Sequence, residues 1–63
     1  MKFTQISHTD TLIVYGAYTD GGSPIGEVEQ ERNNDYFNAY ALTNKYTRKQ
    51  IAKAYEQHRA SIA

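Results

Sequence analysis

Apolar and polar residues alternate over much of the first two thirds of the chain, then apolar residues recur at helical spacing. The one strongly apolar run is Leu12-Ile13-Val14-Tyr15-Gly16-Ala17-Tyr18. It is β-branched and aromatic and too short for an independent helix, which predicts a central strand. Gly16 in its middle predicts a bulge or the close approach of another backbone or ring. Upstream, Met1 and Phe3 fall on one side of an extended segment and Lys2 and Thr4 on the other, giving a first strand within Met1 to His8. Ile6 is out of phase with Phe3. His8-Thr9-Asp10-Thr11 reads as a polar turn, and Asp20-Gly21-Gly22 supplies the left-handed conformations of a hairpin.

Residues 25–32 admit two readings. In a strand, Gly26, Val28, Gln30 and Arg32 share one face while Ile25, Glu27, Glu29 and Glu31 share the other. In a helix, Ser23 would cap and Pro24 would lead, with Glu27 and Glu29 near the positive end of the dipole. Gly26, the short length and an apolar stripe of only Ile25 and Val28 weigh against the helix. The preceding Asp-Gly-Gly turn favours a strand pairing back onto the Leu12 strand. Asn33-Asn34-Asp35 marks another turn. After it, Tyr36, Asn38, Tyr40 and Leu42 alternate with Phe37, Ala39 and Ala41, which predicts a further strand.

Thr47-Arg48-Lys49-Gln50 fits the capping box, with Thr47 as N-cap and Gln50 reaching back from the third helical position. Tyr46 is placed to staple against Ile51. Ile51, Ala54, Tyr55, His58 and Ile62 then form one stripe, with Arg48, Lys49, Lys53, Glu56 and Arg59 mainly away from it. The expected fold is α+β: an antiparallel meander of three or four strands with one C-terminal helix packed across it.

The chain has 63 residues and neither cysteine nor tryptophan. That length makes a single domain, 1–63, burying only about 60% of the surface its unfolded form exposes. No disulfide or thiolate-bound zinc can staple it, so stability must come from local structure, a homodimer or a partner. The seven-residue apolar run is far short of the roughly 20 residues a membrane helix needs. Its surroundings lack the layout of a signal peptide. The expectation is a cytoplasmic protein without membrane association.

Seven basic and seven acidic side chains cancel overall but are unevenly distributed. Residues 1–35 carry Lys2 and Arg32 against six carboxylates, a net of −4, and residues 36–63 carry five cations against Glu56, a net of +4. In a strand, Glu27, Glu29 and Glu31 stand about 6.8 Å apart on one face, twice the rise per residue. Like charges in such a row repel one another and add nothing to folding. They make either a solubilising edge strand or an acidic surface that meets a basic partner.

Six of the eight aromatic residues are tyrosines, a residue enriched at interfaces. One sheet face cannot hold Tyr15 and Phe37 together with Tyr18 and Tyr36. Either tyrosine rings fill a thin core with hydroxyls at its rim, or the face without the helix keeps a tyrosine-rich patch. The candidate protein-binding residues are therefore Glu27, Glu29, Glu31, Tyr18, Tyr36 and Tyr40. Arg48, Lys49 and Lys53 are the candidates for nucleic acid.

Catalytic chemistry finds little support. His8 and His58 have no partner at metal-ligand spacing. Ser7, Ser23 and Ser61 lie in weak or terminal contexts, and the core is too small to enclose a usual ligand pocket. Asp20-Gly21-Gly22-Ser23 is glycine-rich but has no following lysine, and its carboxylate repels phosphate. No enzyme, cofactor or metal is expected.

Thr47-Arg48-Lys49-Gln50-Ile51-Ala52 resembles the opening of a helix in helix-turn-helix proteins. The meander followed by Ile51-Ala52-Lys53-Ala54-Tyr55-Glu56 is similar to three-strand-plus-helix domains of the AP2 and integrase-arm type, which present the sheet to DNA. This chain departs from them in carrying Glu27, Glu29 and Glu31 on the corresponding strand. Phosphate neutralisation by lysine and arginine drives most nucleic-acid affinity, so the balanced charge argues against that use. In size and character the chain resembles small phage-encoded accessory proteins, including the anti-CRISPR class, which implies a non-enzymatic inhibitor acting on a host protein. No residue role follows from that resemblance.

Overall fold

The computed structural model describes residues 1–62, with side chains through Ser61. The side chain of Ile62, the last member of the expected helical stripe, lies outside the described residues. Four strands, β1 (Lys2–His8), β2 (Leu12–Tyr18), β3 (Pro24–Glu31) and β4 (Phe37–Ala41), precede one helix, α1 (Arg48–Ile62). The strands form one antiparallel sheet in the order β1-β2-β3-β4. The α+β meander expected from the pattern is the fold.

Each turn follows from its residues. Between β1 and β2, the Thr9 hydroxyl accepts the backbone N–H groups of Thr11 and Leu12. Between β2 and β3, the Thr19 hydroxyl accepts Ser23 N–H, and Gly22 takes the left-handed φ of 94° that side chains avoid. Asn34 Oδ1 accepts Tyr36 N–H at 2.7 Å before β4. The capping box closes both ways: Thr47 N–H donates to Gln50 Oε1 at 2.8 Å, and Gln50 N–H donates to Thr47 Oγ1 at 3.2 Å.

Residues 25–31 settle within β3, with Arg32 just past its end, but two expectations about them are corrected. β3 is an interior strand paired on both sides, so its glutamates do not guard an edge. Ile25 does not share their face: it is buried in the core. The β2–β3 register runs from Ala17↔Gly26 to Tyr18↔Pro24, leaving Ile25 as the extra residue. Such a bulge turns a side chain that strict alternation would place outside. A second bulge lies at Ile6, between the Gln5↔Tyr15 and Ser7↔Val14 pairs, and accounts for its broken phase.

The helix covers the face carrying Tyr15, Ala17, Val28, Phe37 and Ala39. Ala17, Ile25, Val28, Ala39, Ile51 and Tyr55 form the buried core. Tyr55 is its centre, with ring centroids 4.8 Å from Phe37, 5.4 Å from Phe3 and 5.6 Å from Tyr15. Tyr46 packs against this cluster from the position before the cap. The helix approaches β3 so closely at Gly26 that an added methyl would meet Ile51 Cδ1 and the Tyr40 carbonyl oxygen.

Arg59 also departs from expectation. Its residue is half-buried rather than turned away. Nη1 donates to Gln30 Oε1 and to the Asp35 carbonyl, both at 2.9 Å, and the guanidinium lies 4.8 Å from the Phe37 ring centroid. The long stem crosses apolar surface while the fork finds acceptors at the β3–β4 turn.

Candidate functional site

With the helix on one face, the opposite face of the sheet stays open, and β3 places the three carboxylates along its middle. Glu27 lies opposite Gly16 on β2 and Tyr40 on β4, Glu29 opposite Val14 and Asn38, and Glu31 opposite Leu12. All three are half-buried by their neighbours. Among the described residues none of the three is ion-paired.

Tyrosines border the row. Tyr40 O–H donates to Glu29 Oε1 at 2.8 Å. That hydrogen bond to a carboxylate raises the Tyr40 phenol above its ordinary value, with desolvation and the charges of Glu29 and Tyr36 adding and Arg48 opposing. Tyr36 O–H donates to Asn38 Oδ1 at 3.1 Å. Tyr36, Tyr40 and Leu42 expose 58%, 43% and 57% of their surface, which makes β4 the apolar border of the acidic row. On the other border, the Tyr18 ring lies over Gly16, where an added methyl would meet it at 2.7–2.9 Å. That contact is the ring approach Gly16 implied, and it leaves Tyr18 half-buried. Glu27, Glu29, Glu31, Tyr18, Tyr36 and Tyr40 thus share one side of the sheet.

Arg48, Lys49 and Lys53 are exposed on α1, on the helix layer. They do not form an uninterrupted cationic surface. An open groove of about 530 Å³ between β4 and α1 is lined by Arg48 and Lys49 but also by Asp35 and Glu56. Arg59 also lines this groove, and its Nη1 donates to Gln30 Oε1 and to the Asp35 carbonyl.

Sequence reasoning missed Gln30 as the polar hub under the helix. Its Nε2 lies 3.0–3.1 Å from the carbonyl oxygens of Glu31, Asn34 and Tyr36. Its Oε1 accepts from Tyr55 O–H and Arg59 Nη1, both at 2.9 Å. The available signal was a glutamine in phase with Val28, on the core side of its strand. These bonds tie the far end of α1 to the turn that presents Tyr36.

Among the described residues no three His, Asp or Glu side chains cluster in a way that could hold a metal ion. No described helix is long and apolar enough to cross a membrane. Comparison with protein families, curated proteins and solved structures gives no match to this chain.

Proposed function

We propose that this chain is a small non-enzymatic binding protein that engages a protein partner with a basic surface through the open face of its sheet. It acts in the cytoplasm, in the manner of small phage accessory or anti-defence inhibitors, and also as a homodimer. The observation that carries this reading is the row of three unneutralised glutamates in the middle of the uncovered face. Glu29 and Glu31 accept hydrogen bonds from Tyr40 and Asn34, but three like charges in a line on one face still repel one another. A basic partner would relieve that repulsion, and Tyr36 and Tyr40 would supply amphipathic contact area beside it. The resemblance to phage accessory proteins is one of size and character only.

A second reading uses Arg48, Lys49 and Lys53 to bind nucleic acid, favoured by their exposure on one helix. The two readings separate in a gel shift with duplex DNA and single-stranded RNA at about 50 and about 200 mM salt. The protein-binding reading expects no complex at micromolar concentration. A micromolar complex that the combined Arg48→Gln, Lys49→Gln and Lys53→Gln substitutions abolish would establish the second reading instead.

A further inference from the structure

The sheet has two free edges, β1 and β4. β1 is blunted by the bulge at Ile6 and by Lys2, two common ways of keeping an edge from pairing. β4 has neither. Phe37-Asn38-Ala39-Tyr40-Ala41 pairs with β3 without a register shift and contains no charge and no proline.

The backbone of β4 is polarised by that pairing. Glu31 N–H donates to the Tyr36 carbonyl and Leu42 N–H to the Ile25 carbonyl, both at 3.0 Å. By the alternation of an antiparallel ladder, residues 36, 38, 40 and 42 bond to β3. The N–H and C=O groups of Phe37, Ala39 and Ala41 therefore aim away from β3, along the groove between β4 and α1, with Ala39, 6% exposed, the most covered of the three.

We propose that this edge pairs antiparallel with the β4 edge of a second copy of the chain, about a two-fold axis at Ala39. Phe37 then pairs with Ala41 of the second copy, and Ala39 with Ala39, so every outward amide of the strand finds a partner. On the open face Tyr36 comes opposite Leu42 of the second copy and Asn38 opposite Tyr40. The exposed apolar side chains of this border thus flank one another across the new pair and keep their outer face open.

Charge follows the same symmetry. Ile51 packs at Gly26, opposite Ala41, while Arg59 bonds to Asp35 just before β4. Helix and strand run in opposite directions, so the groove is cationic at its Ala41 end, with Arg48 and Lys49. Its Phe37 end carries Asp35 and Glu56 beside Arg59, whose Nη1 is bonded to Gln30 and to the Asp35 carbonyl. An antiparallel two-fold sets the cationic end of one copy against the acidic end of the other. Because α1 lies over β3 and β4, the same two-fold brings the two helices side by side on one face of the joined sheet. The small Ala52 lies on the groove side of each.

This inference rests on the homodimer of the proposed function and gives it an interface, which uses an edge and not the acidic face. The resulting eight-stranded sheet carries both glutamate rows on one continuous surface.

Sedimentation equilibrium of the full chain from micromolar to millimolar concentration tests it. A monomer–dimer equilibrium is expected, at least about tenfold weaker in Ala41→Pro, which lacks an outward N–H that β3 does not use. The Glu27→Gln, Glu29→Gln, Glu31→Gln variant should dimerise as the parent does, so dimer and acidic face can fail separately. Because the chain has no cysteine, oxidising a mixture of Asn38→Cys and Tyr40→Cys proteins should give a covalent heterodimer, far more than Ile6→Cys on the β1 edge gives with itself. A monomer at every concentration would overturn the proposal. So would a dimer that Ala41→Pro leaves unchanged, or cross-linking at β4 no stronger than at Ile6.

Discussion

Tyr55 shows how much one side chain carries in a core of this size. Its ring touches aromatic rings from β1, β2 and β4, while its hydroxyl ends on Gln30 of β3. Burial raises its phenol above the ordinary value of 10.0; the nearby Tyr15 adds and Arg59 opposes. In the window between the unfolded and folded values the unfolded chain binds fewer protons than the native one. Stability must therefore fall as pH rises through that window, and the contribution is whole below about 10. Denaturant titrations on both sides of pH 10 should show this loss reduced in Tyr55→Phe. Tyr40, also raised by its bond to Glu29, keeps part of the alkaline slope. At neutral pH the same substitution should cost about 1 kcal/mol through the lost Gln30 hydrogen bond. An alkaline slope identical to the parent's would remove Tyr55 from this role.

The elements differ in how far the sequence alone exposes them. α1 is legible because cap, staple and apolar stripe are local: Thr47, Gln50, Tyr46 and Ile51 lie within six residues. The faces of β4 are equally plain, since Phe37 and Ala39 turn to the core while Tyr36, Tyr40 and Leu42 stay exposed. The bulges at Ile6 and Ile25 were not fully legible. Ile6 broke phase visibly, but nothing in the spacing of Ile25, Glu27, Glu29 and Glu31 marks the extra residue, which is defined only against β2. The interior position of β3 was hidden for the same reason, because strand order is a non-local property. Gln30 and Arg59 escaped because long side chains reach partners that periodicity does not report.

These local and non-local parts predict different energetic weights. Ile51→Ala empties a fully buried site against Gly26 and should cost about 2–5 kcal/mol. Thr47→Ala removes one half of the capping box at an exposed helix start and should cost nearer 1 kcal/mol. Thermal melts should rank the two in that order, with Ile51→Ala close to unfolding a domain of this size. A stability of Ile51→Ala at the parent's level would contradict the packing of α1 on the sheet.

The whole molecule separates its charges by layer. Glu27, Glu29 and Glu31 lie on the open side of the sheet, whereas Arg48, Lys49 and Lys53 lie on the helix that covers the other side. The zero net charge therefore conceals two surfaces that can be altered one at a time without touching the core. The face residues follow from β-strand alternation, so a strand over β3 makes the acidic side legible in the sequence. Its position between β2 and β4, with Tyr18 folded over Gly16 and Tyr40 bonded to Glu29, was not. Steering by such a row is screened over about 8–10 Å at ordinary ionic strength, which makes its contribution visible as salt dependence. The most direct test is affinity capture of proteins with basic surfaces by the parent, by the Glu27→Gln, Glu29→Gln, Glu31→Gln variant and by the Arg48→Gln, Lys49→Gln, Lys53→Gln variant, each across a salt series. The acidic-face account predicts that the glutamate substitutions weaken capture and flatten its salt dependence, while the helix substitutions leave both near the parent's. Capture that survives the glutamate substitutions unchanged and is lost with the basic ones would contradict it.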